Sequence, residues 1–356
     1  MPQVPMLKAI ALRLGSALLV LLVIYLPATG RDLSSDGARC MNRGKAFSLD
    51  EQIDGCTAIL QLDRRTAANR AGIYTNRGRA YYHKKDLDRA IADYDEALRI
   101  NPNLVPAYND RGVAHHDKKD LDRALADFNE AIRINPNYAL AYSNRGHAYH
   151  DKGDFDRAIA DYTEALRINP NFAAAYYDRG VAYHHKGDIN RAIADYNEAL
   201  RINPNLVPAY TNRGDAYYAK KDLDRAIANY DEAVRRNPEL ATAYTRRGVA
   251  YFEKMDYDRA IADYSEAIRI DPNFALAYNN RAWTYFKAGK AAQGLPDAER
   301  SLQLRPDYTY ALDTRGHIFE ALGKREEAIA DFRRVVAKDP SIEISRDALK
   351  RLGAAP

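Results

Sequence analysis

The sequence predicts an all-α protein, a solenoid of stacked helical hairpins, and three observations lead there. The tripeptide Asn/Asp-Arg-Gly and its variants recur at a fixed interval. Gly78, Gly112, Gly146, Gly180, Gly214, Gly248 and Gly316 fall on a 34-residue ladder, with Ala282 at the remaining rung. Around each rung, large and small residues alternate at spacings of three and four, the period of a helix face. Each block closes on a proline such as Pro170 or Pro204, which ends a helix because it has no N–H to donate.

The composition of the 356 residues, 46% hydrophobic and 29% charged, accommodates two ordinary domains or one extended array, so the repeat decides between them. The balance of 53 basic against 49 acidic side chains leaves a formal charge of +4. That is too small for the footprint of a nucleic-acid binder. Tyrosine is used 26 times against nine phenylalanines and one tryptophan, a bias that the repeat explains by reusing the same ring positions in every unit.

The chain opens with Lys8 and Arg13, runs apolar from Leu14 to Leu26 and closes on Ala28, Thr29 and Gly30. This is the order of a secretory signal, and small residues at 28 and 30 place the cleavage after Gly30. Residues 1–30 are therefore read as a signal peptide that exports the mature chain, periplasmic or secreted. The apolar run is shorter than the roughly 20 residues of a spanning helix. An uncleaved anchor over residues 9–28 is the other reading, and only then would the membrane be a partner. Leu26 to Gly30 spells LPATG, but sorting signals of that type precede an apolar tail at the C-terminus, and here the C-terminus is polar. Cys40 lies too far beyond the apolar run to mark a lipoprotein.

Residues 31–70 read as a degenerate N-terminal hairpin. Gly44 keeps the ladder, while the later places lose register. Ser48 with Glu51 is a capping-box signature that puts the hairpin turn near residue 48. Cys40 and Cys56 each lie eight residues from Ser48, so an antiparallel hairpin brings them level. A disulfide is expected, with two buried free thiols as the alternative if helix phase turns them apart.

A full unit is clearest from Ala175 to Asn205. Tyr176, Gly180 and Tyr183 form one stripe of a first helix, and Ala192, Tyr196 and Ala199 one stripe of a second. Small residues opposite rings let the two axes approach. Lys186-Gly187-Asp188 makes the turn, Asp188 caps the second helix, and Pro204 ends it. A lone hairpin cannot cover both sides of its stripe, so the units must stack.

The same places hold Tyr142, Gly146, Tyr149, Ala158, Tyr162, Ala165 and Pro170 one unit earlier. This pattern resembles the tetratricopeptide-repeat (TPR) family, and it covers residues 71–342 in eight tandem units. The resemblance implies a right-handed superhelix of helix-turn-helix units, with first helices on the concave wall and second helices on the convex one. It also implies a non-enzymatic scaffold that binds a protein or peptide in the concave groove. Residues 343–356 supply a C-terminal capping helix and tail, with Ile344, Ala348 and Leu352 expected on its buried face. The unit at Ala282 departs from the pattern. Gly294, Pro296, Ala298 and Ser301 replace its usual small and aromatic residues, so its second helix is expected to be shorter or differently packed.

Arg77, Arg111, Arg145, Arg179, Arg213, Arg247, Arg281 and Arg315 share one place in all eight units, where most family members carry leucine. Asp93, Asp127, Asp161, Asp195, Asp263, Asp297 and Asp331 recur on the second helices, with Asn229 the exception. A ladder of internal ion pairs is expected, and a residue present in every unit marks no single site.

The residues that vary define the candidate groove. By the family's pattern they are Tyr82, Asn109, His116, Ser143, His147, His150, Tyr177, His184, Thr211, Asp215, Tyr218 and Trp283. His116, His150 and His184 hold one place in successive units. Equivalent residues on neighbouring first helices lie about 10 Å apart, too far for three imidazoles to share one zinc, so no metal is assigned. No cofactor is implied. Catalysis finds no support, for the chain has no G-x-S-x-G elbow, H-E-x-x-H motif or phosphate-cradling glycine loop. The competing functional class is a membrane-tethered assembly or structural protein of the cell envelope. Nothing in the pattern sets an oligomeric state.

Overall fold

A computed structural model of the protein describes residues 33–61 and 66–355, and every regular element among them is helical. The expected signal at residues 1–30 lies outside the described residues. No helix within them is long and apolar enough to cross a membrane. The N-terminal hairpin is α1 (Leu33–Met41) and α2 (Leu49–Leu60). Eight hairpins follow: α3 (Ala67–His83) with α4 (Leu87–Ile100), α5 (Val105–Asp117) with α6 (Leu121–Ile134), α7 (Ala139–Asp151) with α8 (Phe155–Ile168), and α9 (Ala173–His185) with α10 (Ile189–Ile202). The second four are α11 (Val207–Ala219) with α12 (Leu223–Arg236), α13 (Ala241–Glu253) with α14 (Tyr257–Ile270), α15 (Ala275–Lys287) with α16 (Ala291–Leu304), and α17 (Thr309–Ala321) with α18 (Arg325–Lys338). Helix α19 (Glu343–Arg351) closes the array. Each first helix packs on its own second helix, on the preceding second helix and on the first helices of the neighbouring units, so the first helices form one continuous inner row.

In the N-terminal hairpin, Ser48 caps α2 and Glu51 returns the bond to the Ser48 N–H, as the capping box predicts. Asn42 clamps the turn by donating to the Phe47 carbonyl and accepting from the Phe47 N–H, both at 3.0 Å. Cys40 and Cys56 form the expected disulfide, their Cα atoms 4.5 Å apart and both side chains buried. Gly44 sits in the turn at φ 79°, inside a single 3-10 turn (Arg43–Lys45) and in neither α1 nor α2. The close approach of the two helices falls instead at Gly55, where a Cβ would lie 2.7 Å from the Arg39 Cβ.

Within a unit, the glycine rung and the ring of the second helix are one contact. A Cβ added at Gly78, Gly112, Gly146, Gly180, Gly214, Gly248 or Gly316 would stand 2.5–2.8 Å from the opposing Tyr or Phe ring, which is itself buried. Those rings and the alanines flanking them, such as Ala175, Ala182, Ala192 and Ala199, make the core. Most first-helix tyrosines are only half-buried, with Tyr210 buried and Tyr310 exposed. Tyr176 packs against Leu166 of the preceding unit, and the guanidinium of Arg191 stands 4.5 Å over the Tyr183 ring. Much of the tyrosine content is therefore ring surface roofed by arginine, a cation–π arrangement repeated along the chain.

The arginine ladder pairs as expected. Arg145 donates from Nε and Nη2 to both carboxylate oxygens of Asp161 at 2.8 and 2.6 Å, and Arg179 does the same to Asp195 at 2.8 Å. The third nitrogen, Nη1, reaches back to the preceding second helix, from Arg145 to Asn129 and from Arg179 to Thr163. All the ladder arginines but Arg315, which bonds Asp331 alone, thus join three helices with a planar fork. Opposite Arg213 the Asn229 amide accepts one bond at 2.7 Å. Burial holds the Arg213 guanidinium below its ordinary pKa, whereas the hydrogen bond to Asp161 outweighs burial at Arg145 and raises it.

Asp188 caps α10 by accepting from the Arg191 N–H, and Asp86, Asp120, Asp154, Asp222 and Asp256 cap their helices in the same way. The turn before each cap needs a left-handed residue. Gly153 and Gly187 supply it without strain, while Lys85, Lys119, Lys221 and Met255 adopt positive φ despite their side chains.

One expectation is met in one of its two forms, and another is corrected. Helix α16 is not shortened, since it runs fourteen residues like its neighbours and carries Pro296 on its exposed side. Its packing does change. Ala282 replaces the usual glycine and Ala298 the usual ring, and Ile318 from the next unit fills the space between them. Gly294 then lets α16 approach the Ala282 carbonyl, where a Cβ would stand 2.7 Å away. On α19 the buried residues are Ser345, Ala348 and Leu349, and Ile344 is 60% exposed. A stripe drawn every fourth residue drifts off the buried face, because four residues overshoot one 3.6-residue turn.

Four variants test these contacts. Gly180→Ala should destabilise the protein by about 2 kcal/mol through overpacking against Tyr196. The triple variant Gly180→Ala, Tyr196→Ala, Ala216→Ile copies the arrangement of Ala282, Ala298 and Ile318, and should recover most of that loss in urea unfolding. Asn229→Asp should add about 1 kcal/mol by completing the fork on Arg213. Asp195→Ala, which leaves Arg179 buried without its carboxylate, should cost about 3 kcal/mol.

Candidate binding groove

The inner row of first helices carries the candidate residues at different depths. Asn109, Ser143 and Thr211 are buried at 5%, 3% and 6% exposure, facing the neighbouring helix and leaving almost no surface to a partner. Thr211 bonds back to the Val207 carbonyl, and Asn109 accepts from the Asn144 amide at 2.8 Å. The residues one further on are more exposed, Asp110, Asn144, Asp178 and Asn212 being partly buried and Arg246 exposed. The sequence reading passed over these residues because each stands directly before the repeated arginine. Their variation from unit to unit was the available signal.

The remaining candidates line the wall. Tyr82 donates to the Asp117 carboxylate at 2.8 Å, and burial together with that bond holds its phenol up at about 12. His116 Nε2 lies 3.2 Å from Asp151, and His150 packs edge-on against Phe155 and His185. His147 Nε2 lies 2.7 Å from Asp178, and Tyr177 accepts from the Asn212 amide at 3.0 Å. Asp215 accepts from Tyr230 at 2.8 Å and pairs with Arg246, while burial raises its carboxyl against the Arg246 charge. The Lys221 ammonium lies 5.6 Å from the Tyr218 ring centroid. Trp283 joins Phe286 and His317 in a three-ring cluster with centroids 5.1–5.7 Å apart, and Lys287 lies 5.1 Å from its ring.

The environments shift the histidine pKa values in opposite directions. Burial lowers His147, but the hydrogen bond and charge of Asp178 outweigh it and leave the pKa above its ordinary value. Burial dominates at His150 and His184 and lowers both, His150 further so through the charge of His185. Among the described residues no three His, Cys, Asp or Glu side chains converge closely enough to hold a metal ion.

Family models for the tetratricopeptide repeat match residues 78–119, 114–153, 146–187, 173–206, 211–273, 264–295 and 310–341. The chain belongs to the tetratricopeptide-repeat family. No curated protein matches it by sequence. Solved structures share the TPR fold. A tetratricopeptide repeat protein from Parabacteroides merdae is 23% identical with a TM-score of 0.54, over 70% of this chain and 98% of that one. The pilF protein of Pseudomonas aeruginosa is 17% identical with a TM-score of 0.55, over 64% and 100%. The APC/C heterotetramer Cut9-Hcn1 is 16% identical with a TM-score of 0.55, over 85% of this chain and 59% of that one. At these identities the likeness is one of TPR architecture.

The histidine environments predict a split titration. By NMR, His147 should titrate above about 6.5, and His150 and His184 below it. Because folding raises the His147 pKa, its pairing stabilises the fold fully below the unfolded value and the gain is lost as pH rises through the folded value. His147→Gln should therefore lower stability at pH 5 and leave it nearly unchanged at pH 8.

Proposed function

We propose that the protein is a non-enzymatic scaffold that binds a protein or peptide segment along its inner wall, outside the cytoplasm. The observation that carries this reading is the contrast between core and wall. The core contacts, glycine to ring and arginine to aspartate, repeat almost without change, while the wall residues change from unit to unit. A wall that served only packing would repeat as its core does, whereas a binding wall must differ from place to place to be selective. The membership in the TPR family and the half-buried rings on the wall, with their polar tips, favour a polypeptide partner.

The Cys40–Cys56 disulfide supports action outside the cytoplasm, because such bonds persist in oxidising compartments. The signal-like N-terminus read from the sequence agrees with it.

The test is an affinity capture from the exported fraction with the native chain and with a Tyr82→Ala, His147→Ala, Tyr218→Ala variant, three wall side chains that are only partly buried, the variant's helical circular dichroism being checked first. A protein retained by the native chain and lost from the variant is the expected result. Identical captures would move binding off the inner wall.

A further inference from the structure

The inner wall has a period longer than its repeat. Where one first helix meets the next, the contact alternates in kind. Arg79 pairs with Asp110, His147 with Asp178, and Asp215 with Arg246, each joining the same two places of adjacent units. At the interfaces between these, the same two places hold Val113 with Asn144, Val181 with Asn212, and Val249 with Asn280. There the asparagine turns to a different partner, Asn144 to Asn109 and Asn212 to Tyr177. All three valines are only partly buried. The seventh interface, where another ion pair falls due, is closed by the Trp283, Phe286 and His317 rings. At this level the wall shows three windows of valine and carboxamide, two units apart, between rungs whose charges are already paired, while one turn further on His116 faces Asp151 across the first window.

Resting on the groove-binding reading above, we infer that these windows receive one extended polypeptide segment carrying an uncharged apolar side chain at every sixth residue. The spacing picks out an extended chain. Successive first helices lie about 10 Å apart, which is about three residues of strand at roughly 3.3 Å each. Three is odd, so a strand laid along the wall shows the neighbouring unit its opposite face. Two units span about 20 Å, or about six residues, an even number that returns the same face to the wall. A strand and this wall are therefore in step only every second unit, which is the period the wall displays. A charged side chain at a window would lose water without finding a free counter-charge at that level, since Arg79, His147 and Asp215 are engaged with Asp110, Asp178 and Arg246. The free hydrogen-bonding capacity of Asn144, Asn212 and Asn280 serves the backbone of the segment.

The test uses the full chain and two labelled synthetic peptides of about 18 residues with the same composition, three leucines in a Ser/Thr/Gln background. One carries leucine at every sixth residue and the other at every fourth. By fluorescence anisotropy the six-spaced peptide should bind about tenfold more tightly, with an affinity that changes little as salt is raised, and Val181→Lys should weaken it about tenfold with the helical circular dichroism intact. Equal affinity for the two peptides, both weakened by Val181→Lys, overturns the spacing and leaves groove binding standing. Binding that ignores Val181→Lys, or no binding of the six-spaced peptide, overturns the inference. The comparison of the two peptides on the native chain decides the matter even where Val181→Lys perturbs folding.

Discussion

The repeated arginine is the constraint on which the stack depends. Its Nε and Nη2 hold the aspartate of the same unit's second helix, and its Nη1 holds the second helix of the unit before. A hydrophobic residue in that place would supply area without direction. The planar fork fixes the angle between helices and the offset between units together, because its donors lie in one plane and cannot be satisfied independently. With the arginine engaged, the glycine rung is brought under the ring of the second helix, and the alanines close around both. The regular wall rests on that geometry.

Most of this was legible because the code is repetitive. An eightfold period averages out the ambiguity of any single segment, so the hairpins, the Asp188 cap, the arginine–aspartate pairing and the level cysteines could each be read from spacing alone. Depth was harder to read. Asn109, Ser143 and Thr211 differ from the more exposed Asp110, Asn144 and Asn212 by one residue, about 100° of rotation on a helix, and only the position of the neighbouring helix decides which of the two is covered. The same one-residue error put Ile344 inside the cap, where Ser345 belongs.

The unit at Ala282 shows a different limit. Its exchange of glycine and ring for two alanines is visible in the sequence, but the compensation is not, because Ile318 belongs to the following unit. Packing volume is conserved across the interface and not within the repeat. A reading made unit by unit therefore anticipates a shorter or differently packed helix, and the stack supplies a full-length one packed by its neighbour.

The Cys40–Cys56 bond has a consequence for how the array comes apart. A linear stack opens from its ends, since each unit is held only by its neighbours and an end unit has one neighbour. Here one end is riveted covalently, while the other is closed by the nine residues of α19, held through Ser345, Ala348 and Leu349. The stack accordingly resembles a zipper with its stop at one end. Fraying is therefore expected to advance inward from the α19 end, while α1 and α2 leave or stay as one piece.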